Sequence, residues 1–195
     1  MQEYKAFNKH SESTIRLLSA AQYNIFGLRK QLNILLTGLL CIGVAIFVPF
    51  GDVGFFLMMM LGCWLAVSSK VPQMRQTDKL IELMNGKYPE SEFEFGETSV
   101  FVHTGGEVQE LPYRKIQALA DDGTYIYLFV SRMAGYMFPA KNLVPQTLDS
   151  FKSSLSSLSG LEFVKPCSLF RMSIKQLGIR IKNRRVLKAR IMKKK

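Results

Sequence analysis

Two apolar runs joined by one short turn constrain this chain more than anything else in it. Gln31 to Phe50 and Val53 to Ser69 flank Gly51-Asp52, and between Lys30 and Lys70 the only charge is Asp52. As helices the two runs would rise about 30 Å and about 25 Å, close to the hydrocarbon thickness of a bilayer. Neither has the polar face that a core helix of a water-soluble protein usually keeps. The sequence therefore predicts a two-span membrane hairpin over residues 31–69. A secretory leader is not expected, because thirty mixed polar residues precede the first run and a second follows it at once.

Orientation is read from the flanks. Arg29 and Lys30 precede the first run, Lys70 and Arg75 follow the second, and the turn has no Lys or Arg. The positive-inside rule then places the protein in the cell membrane as a multi-pass chain, with both termini in the cytoplasm. Small residues share one stripe of each run: Gly38, Cys41 and Ala45 in the first, Gly62, Ala66 and Ser69 in the second. Such stripes let helix backbones approach closely, within the hairpin or between subunits of a homo-oligomer. No charge falls at mid-membrane depth, which argues against an ion pathway.

The rest of the chain divides by pattern. Residues 1–30 form a juxtamembrane segment whose first fourteen positions are polar and unpatterned, with Ser11 or Ser13 as a helix cap. Ile15, Leu18, Ala21, Ile25 and Leu28 then recur at three and four, as in a helix lying on the membrane or extending the first span. Residues 70–90 read as a connecting helix that stops at Asn85-Gly86. Strand-like runs follow at 91–95, 100–102, 108–111, 113–119, 125–130 and 135–138. The run Tyr125 to Val130 is apolar on both faces, as in a central, doubly covered strand. A helix over 148–158, with Thr147 as N-cap and Gly160 as its stop, closes a cytoplasmic domain spanning 91–160. The fold class expected is an α+β membrane protein: the hairpin, then a pleckstrin-homology-like sheet closed by one helix.

The net charge of +11 is concentrated in the basic tail, residues 161–195, which alone carries +11, whereas residues 78–160 carry −4. From Arg171 onward there are eleven Lys or Arg and no acid. An anionic leaflet attracts such side chains by about 1 kcal/mol each near its surface. Arg171, Lys175, Arg180, Lys182, Arg184, Arg185, Lys188 and Arg190 are therefore the candidate membrane-surface residues, with lipids of the anionic inner leaflet as partner. Phe170, Ile174, Leu177 and Ile181 form one helical stripe, whose phase Val186, Leu187 and Ile191 do not continue. No aromatic lies in 171–195 to stack on bases, which disfavours nucleic acid.

The order of hairpin, strands, "LPYRKIQALADDGTYIYLFV", "GYMFPAKNLV" and closing helix resembles the YcxB-like family of bacterial membrane proteins. The resemblance covers about residues 31–158. It is carried by Tyr113 and Ile116, the aromatic strand Tyr125 to Phe129, and the step Phe138-Pro139-Ala140-Lys141. Tyr113 stands where that family commonly has Trp. The resemblance implies a fold and a bacterial membrane location, and it brings no catalytic residues.

Chemistry is sparse. His103 has no second His or Cys beside it in sequence, and Cys41, Cys63 and Cys167 have neither disulfide nor metal spacing. Glu92 and Glu94 alternate with Phe93 and Phe95 as the solvated face of a strand, and Asp121 and Asp122 belong to a turn. No enzyme, cofactor or metal is expected. The function expected is a non-catalytic, membrane-anchored binding or regulatory module that holds its domain and basic tail at the cytoplasmic membrane surface and recruits a protein partner. The alternative is an accessory or immunity-type subunit of another membrane complex.

Overall fold

Sheet formation starts earlier in the chain than its polarity predicts. The computed structural model describes residues 4–68, 71–168 and 171–192, with the backbone alone at Pro72, so Ser69, Lys70 and Phe170 lie outside the described residues. Over the described residues it is an α+β fold of six α-helices and two four-stranded sheets. The segment read as unpatterned contains β1 (Tyr4–Lys9), which pairs antiparallel with β2 (Glu90–Phe95). Tyr4, Ala6 and Asn8 point inward, while Lys5, Phe7 and Lys9 point out. A buried Asn and an exposed Phe disguise the alternation. With β3 (Ser99–Thr104) and β4 (Glu107–Pro112) these strands form sheet A in the order β1-β2-β3-β4.

Everything between β1 and β2 is helical. Ser11 caps α1 (Glu12–Phe26), its hydroxyl accepting from the Thr14 N–H while the Thr14 hydroxyl accepts from the Ser11 N–H. α1 passes into α2 (Leu28–Ala45) through Gly27 alone. The Gly27 N–H donates to Tyr23 O and the Gln31 N–H donates to Gly27 O, so helical bonding runs through the junction. α3 (Val53–Ser68) returns alongside α2, and α4 (Val71–Met84) packs on α1 through Ser19–Thr77 and Arg16–Asp78 bonds before leading into β2. Asn85 and Gly86 stop it in left-handed backbone, as their sequence predicts.

The apolar helices differ from the two full-length spans expected over 31–50 and 53–69. α2 is long and apolar enough to cross a membrane, with only 17% of its window buried; α3 reaches that only with Gln73–Met84, across a 44° bend. There are thus one or two candidate spans among the described residues. The turn consumes the difference. Phe47 and Val48 bond three residues back rather than four, and Pro49 has no N–H to continue the helix.

β4 does not run on into a strand at Tyr113. Tyr113–Lys115 is a 3-10 turn, and it carries the chain from sheet A to sheet B. The reason is burial: the Tyr113 ring is interior with its hydroxyl donating to Gly96 O (2.7 Å), and Ile116 is wholly enclosed. Sheet B has the order β7-β6-β5-β8, from β5 (Ala118–Asp121), β6 (Tyr125–Phe129), β7 (Gly135–Pro139) and β8 (Phe163–Val164). The central β6 is buried on both sides. Ile126 and Leu128 join the main core with Phe93, Phe95, Phe138 and Phe151, whereas Tyr127 and Phe129 pack with Ala21 of α1 in a second core. α5 (Leu148–Ser159) closes the main core with Phe151 and Leu155 and ends at Gly160 in left-handed backbone. Thr147 does not cap it through its side chain, because that hydroxyl is bonded to the Tyr4 hydroxyl (3.2 Å).

Candidate functional site

The stripe Ile15, Leu18, Ala21 and Ile25 settles the role of α1. Ile15 and Ala21 are buried, and Leu18, Ala21, Ile25 and Phe26 cover the second face of sheet B. Phe26 meets Phe129 edge-on at 5.7 Å, and the Gln22 amide donates to Arg132 O (2.7 Å) in the β6–β7 turn. α1 does not lie on a membrane with that face. It is a core element of the domain and continues directly into the apolar α2.

The expected small-residue contacts come together between α2 and α3. A Cβ on Gly38 would lie 2.9 Å from Gly62 O, and one on Gly62 would lie 2.8 Å from Gly38 O and 2.7 Å from Ile42 Cγ1. Gly38, Ala45 and Gly62 are buried and Cys41 is half-buried, while Ala66 borders the contact through its backbone. The stripes face each other, and the opposite sides of both helices expose Leu, Phe, Met and Trp side chains.

Residues 161–195 begin with Leu161, wholly buried, and β8, which pairs parallel to β5. They continue as α6 (Ile174–Met192), which lies against the domain. Ile179 packs in the second core and Val186 and Leu187 on the first. Asn183, 7% exposed, accepts from the Glu162 N–H (3.0 Å) and donates to the Glu162 carbonyl (2.7 Å). The phase break noted in the sequence is thus a second apolar face, half a turn from the first.

The eight basic residues divide accordingly. Arg180 donates to Asn24 O and Lys165 O (3.0 Å each), and burial lowers its guanidinium below the usual value. Arg190 donates to Arg114 O (3.1 Å), Ile116 O (3.2 Å) and Ser159 O, so it ties the 3-10 turn, the end of α5 and α6 together. Lys182 pairs with Glu162 at the surface. Arg171, Lys175, Arg184, Arg185 and Lys188 are exposed. On the outward side of α6 the last three follow Ile174 (91% exposed), Leu177 and Ile181, which makes one face apolar over its first turns and basic over its last.

An open groove of about 960 Å³ lies between the 3-10 turn, the end of α5 and the C-terminal half of α6. Val130, Leu158, Leu187 and Ile191 supply apolar walls, and Arg114, Lys115 and Arg190 are its charged residues. No carboxylate lines it among the described residues. Burial, and then the like charge of Arg114, lower the Arg190 guanidinium from its usual value. Sequence reading missed this groove. Arg114 and Lys115 sit in a segment that looks like a strand, and α6 reaches them only across some seventy residues of chain.

The acidic candidates are occupied by structure. Asp121 accepts from the Gly123 N–H, and Asp122 from the Thr124 and Tyr125 N–H groups and the Tyr127 hydroxyl, as turn residues. Glu94 pairs with Lys5 across the outer face of sheet A, and that bond, with help from His103, lowers its carboxyl.

What the fold defines is an α+β protein whose apolar helix pair is inserted between two neighbouring strands of its first sheet. The pattern of the YcxB-like protein family matches residues 95–153, from the end of β2 into α5. The resemblance to that family is therefore supported over this stretch, which includes Tyr113, Ile116 and the aromatic β6. Neither a curated protein nor a solved structure matches the chain.

Proposed function

We propose that the protein is a non-catalytic, membrane-anchored binding module of pleckstrin-homology-like build. Its domain stands at the cytoplasmic surface and α6 presents a face to the anionic leaflet. The observation that carries this is the junction at Gly27. One face of α1 is core of the domain, and the same helix continues by backbone bonds into an apolar helix that is left bare. In water the exposed Leu, Phe, Met and Trp side chains of α2 and α3 would be a large apolar patch; in a bilayer they meet acyl chains. Taken as two spans, the pair has Arg29, Lys30 and Arg75 at one end and the uncharged-but-for-Asp52 turn at the other, the distribution of a cytoplasmic domain.

The outward face of α6 fits such a surface, with Ile174, Leu177 and Ile181 entering the headgroup layer beside Arg184, Arg185 and Lys188. The reading is favoured over an accessory subunit by the mutual contact of Gly38 and Gly62, which uses both glycines within the helix pair.

A cysteine reporter tests this reading. With the three native cysteines replaced by alanine, a bimane label on Leu177→Cys should shift to the blue in nanodiscs containing phosphatidylglycerol. It should revert when Arg184, Arg185 and Lys188 are changed to Gln. An unshifted label overturns the surface contact. A Phe50→Cys variant that labels only after permeabilisation of cells reverses the topology.

A further inference from the structure

We propose that the groove between the Tyr113–Lys115 turn, the end of α5 and α6 seats a single anionic phospholipid, its phosphate at Arg114 and Lys115 and an acyl chain along the aliphatic wall. This rests on the membrane-anchored reading and goes beyond it, since surface docking of α6 uses Ile174, Leu177, Ile181, Arg184, Arg185 and Lys188, none of which lines the groove.

Three observations converge. The first is charge: Arg114, Lys115 and Arg190 share one open groove with no carboxylate on its walls among the described residues. Arg190 already donates to three backbone carbonyls, but the Arg114 and Lys115 side chains have no partner among the described residues. Like charges gathered without a counter-ion are relieved by a bound anion, and phosphate is well matched to a guanidinium.

The second is the wall. Val130, Leu158, Leu187 and Ile191 are aliphatic, and Ile191 is 64% exposed. A peptide occupant would bring backbone amides needing partners, and only Gln117, Ser157 and Ser159 offer uncharged polar side chains here. Ser159 is spent on Leu155 O and the Leu161 N–H. An acyl chain makes no such demand. Among the described residues no aromatic lines the groove for base stacking.

The third is position. The groove wall at Val130 opens the β6–β7 turn, whose Arg132 carbonyl is held by Gln22 of α1. Gln22 lies six residues before the start of α2, about 9 Å along the helix axis. The groove edge is therefore within a lipid's reach of the membrane surface that α2 enters.

The test uses the full chain in nanodiscs of mixed phosphatidylglycerol and phosphatidylcholine, released into native mass spectrometry. We expect one phosphatidylglycerol retained per chain, favoured over phosphatidylcholine by about tenfold, because the choline cation meets Arg114 and Lys115 as a like charge. Arg114→Gln with Lys115→Gln should abolish that preference. Both side chains are exposed and unbonded, so an unchanged trypsin pattern over α6 confirms that the variant is folded. Arg29→Gln with Lys30→Gln, at the end of α2, should leave the retained lipid in place.

Equal retention of both lipids overturns the proposal, as does phosphatidylglycerol retained undiminished by the Arg114/Lys115 variant. Loss from the Arg29/Lys30 variant alone assigns the lipid to the helix ends and overturns it too. If the groove variant instead loses a co-purifying protein, the occupant is a peptide and the proposal fails. The Leu177 reporter should stay blue-shifted in the Arg114/Lys115 variant, so failure of the groove and failure of the surface contact are separate results.

Discussion

Replacing Asn183 by Ala should release α6 from the domain. Asn183 is the one buried polar side chain of α6, and both ends of its amide are committed to the backbone of Glu162, beside β8. Each net bond contributes about 0.5–1.5 kcal/mol. Glu162 is half-buried, so water can partly replace the lost partner, and the total comes to about 2 kcal/mol rather than the sum of two full desolvation penalties. That is a rise of about thirtyfold in the population with α6 lifted away. α6 carries Lys175, Arg180, Lys182, Arg184, Arg185, Lys188 and Arg190, so trypsin reads this population directly. When opening and closing are fast, cleavage follows the population of the open form. Cleavage within 180–190 should therefore accelerate by about the same thirtyfold. Glu162→Gln, which removes only the exposed ion pair with Lys182, should change it less than about fivefold. Asn183→Ala cleaved no faster than the parent chain would refute the reasoning, and α6 would then be held by its remaining contacts, chiefly Arg180, Arg190 and the apolar side chains.

Further expectations follow from single contacts. Gly62→Ala should loosen the α2–α3 pair by about 1–3 kcal/mol, since the new methyl would meet Gly38 O and Ile42; faster disulfide trapping between cysteines placed across the pair would contradict it. Tyr113→Phe should cost about 1 kcal/mol through the orphaned Gly96 carbonyl, and Tyr113→Ala about 3–5 kcal/mol, both measured by denaturant unfolding of the domain in detergent. Burial lowers the His10 imidazole below its usual 6.5, so the unfolded chain binds the proton more tightly than the folded one. Stability from this group is complete above about pH 6.5 and falls as pH drops toward the folded value. A His10→Gln variant should flatten that acid limb of the melting-temperature profile.

What the sequence made legible is what repeats at short range. The strands of 91–138, the αL stop at Asn85-Gly86, the Ser11 cap and the doubly apolar β6 all carry local periodicity or turn chemistry. What stayed hidden needs partners far along the chain. β1 buries Asn8 and exposes Phe7, so its alternation appears only once β2 lies beside it, some eighty residues later. Tyr113 to Lys115 has strand-like composition, yet the change from sheet A to sheet B requires a turn there, and the buried ring and Ile116 hold it. The basic tail is the clearest case. Its charge dominates the composition, while its fold rests on one Asn, two Arg and three aliphatic side chains at the inward positions of α6.

That division of α6 bears on how a module of this kind can work. A flexible polybasic tether would meet a membrane in many orientations, and each would reposition the domain. Here Arg180 bonds to α1 at Asn24 and Arg190 bonds to the turn that builds the groove, so α6 bridges the helix entering α2 and the far end of the domain. α1 is bonded in turn to the β6–β7 turn through Gln22. A tilt of α2 is therefore not absorbed at Gly27, where helical bonds continue, and must be carried into sheet B, α6 and the groove together. Two inserted glycines after Gly27 interrupt that path without touching the groove. If the groove's lipid preference survives the insertion while the Leu177 reporter loses its fixed environment, the α1–α2 junction serves orientation; if both persist, α6 is oriented by its own charges alone.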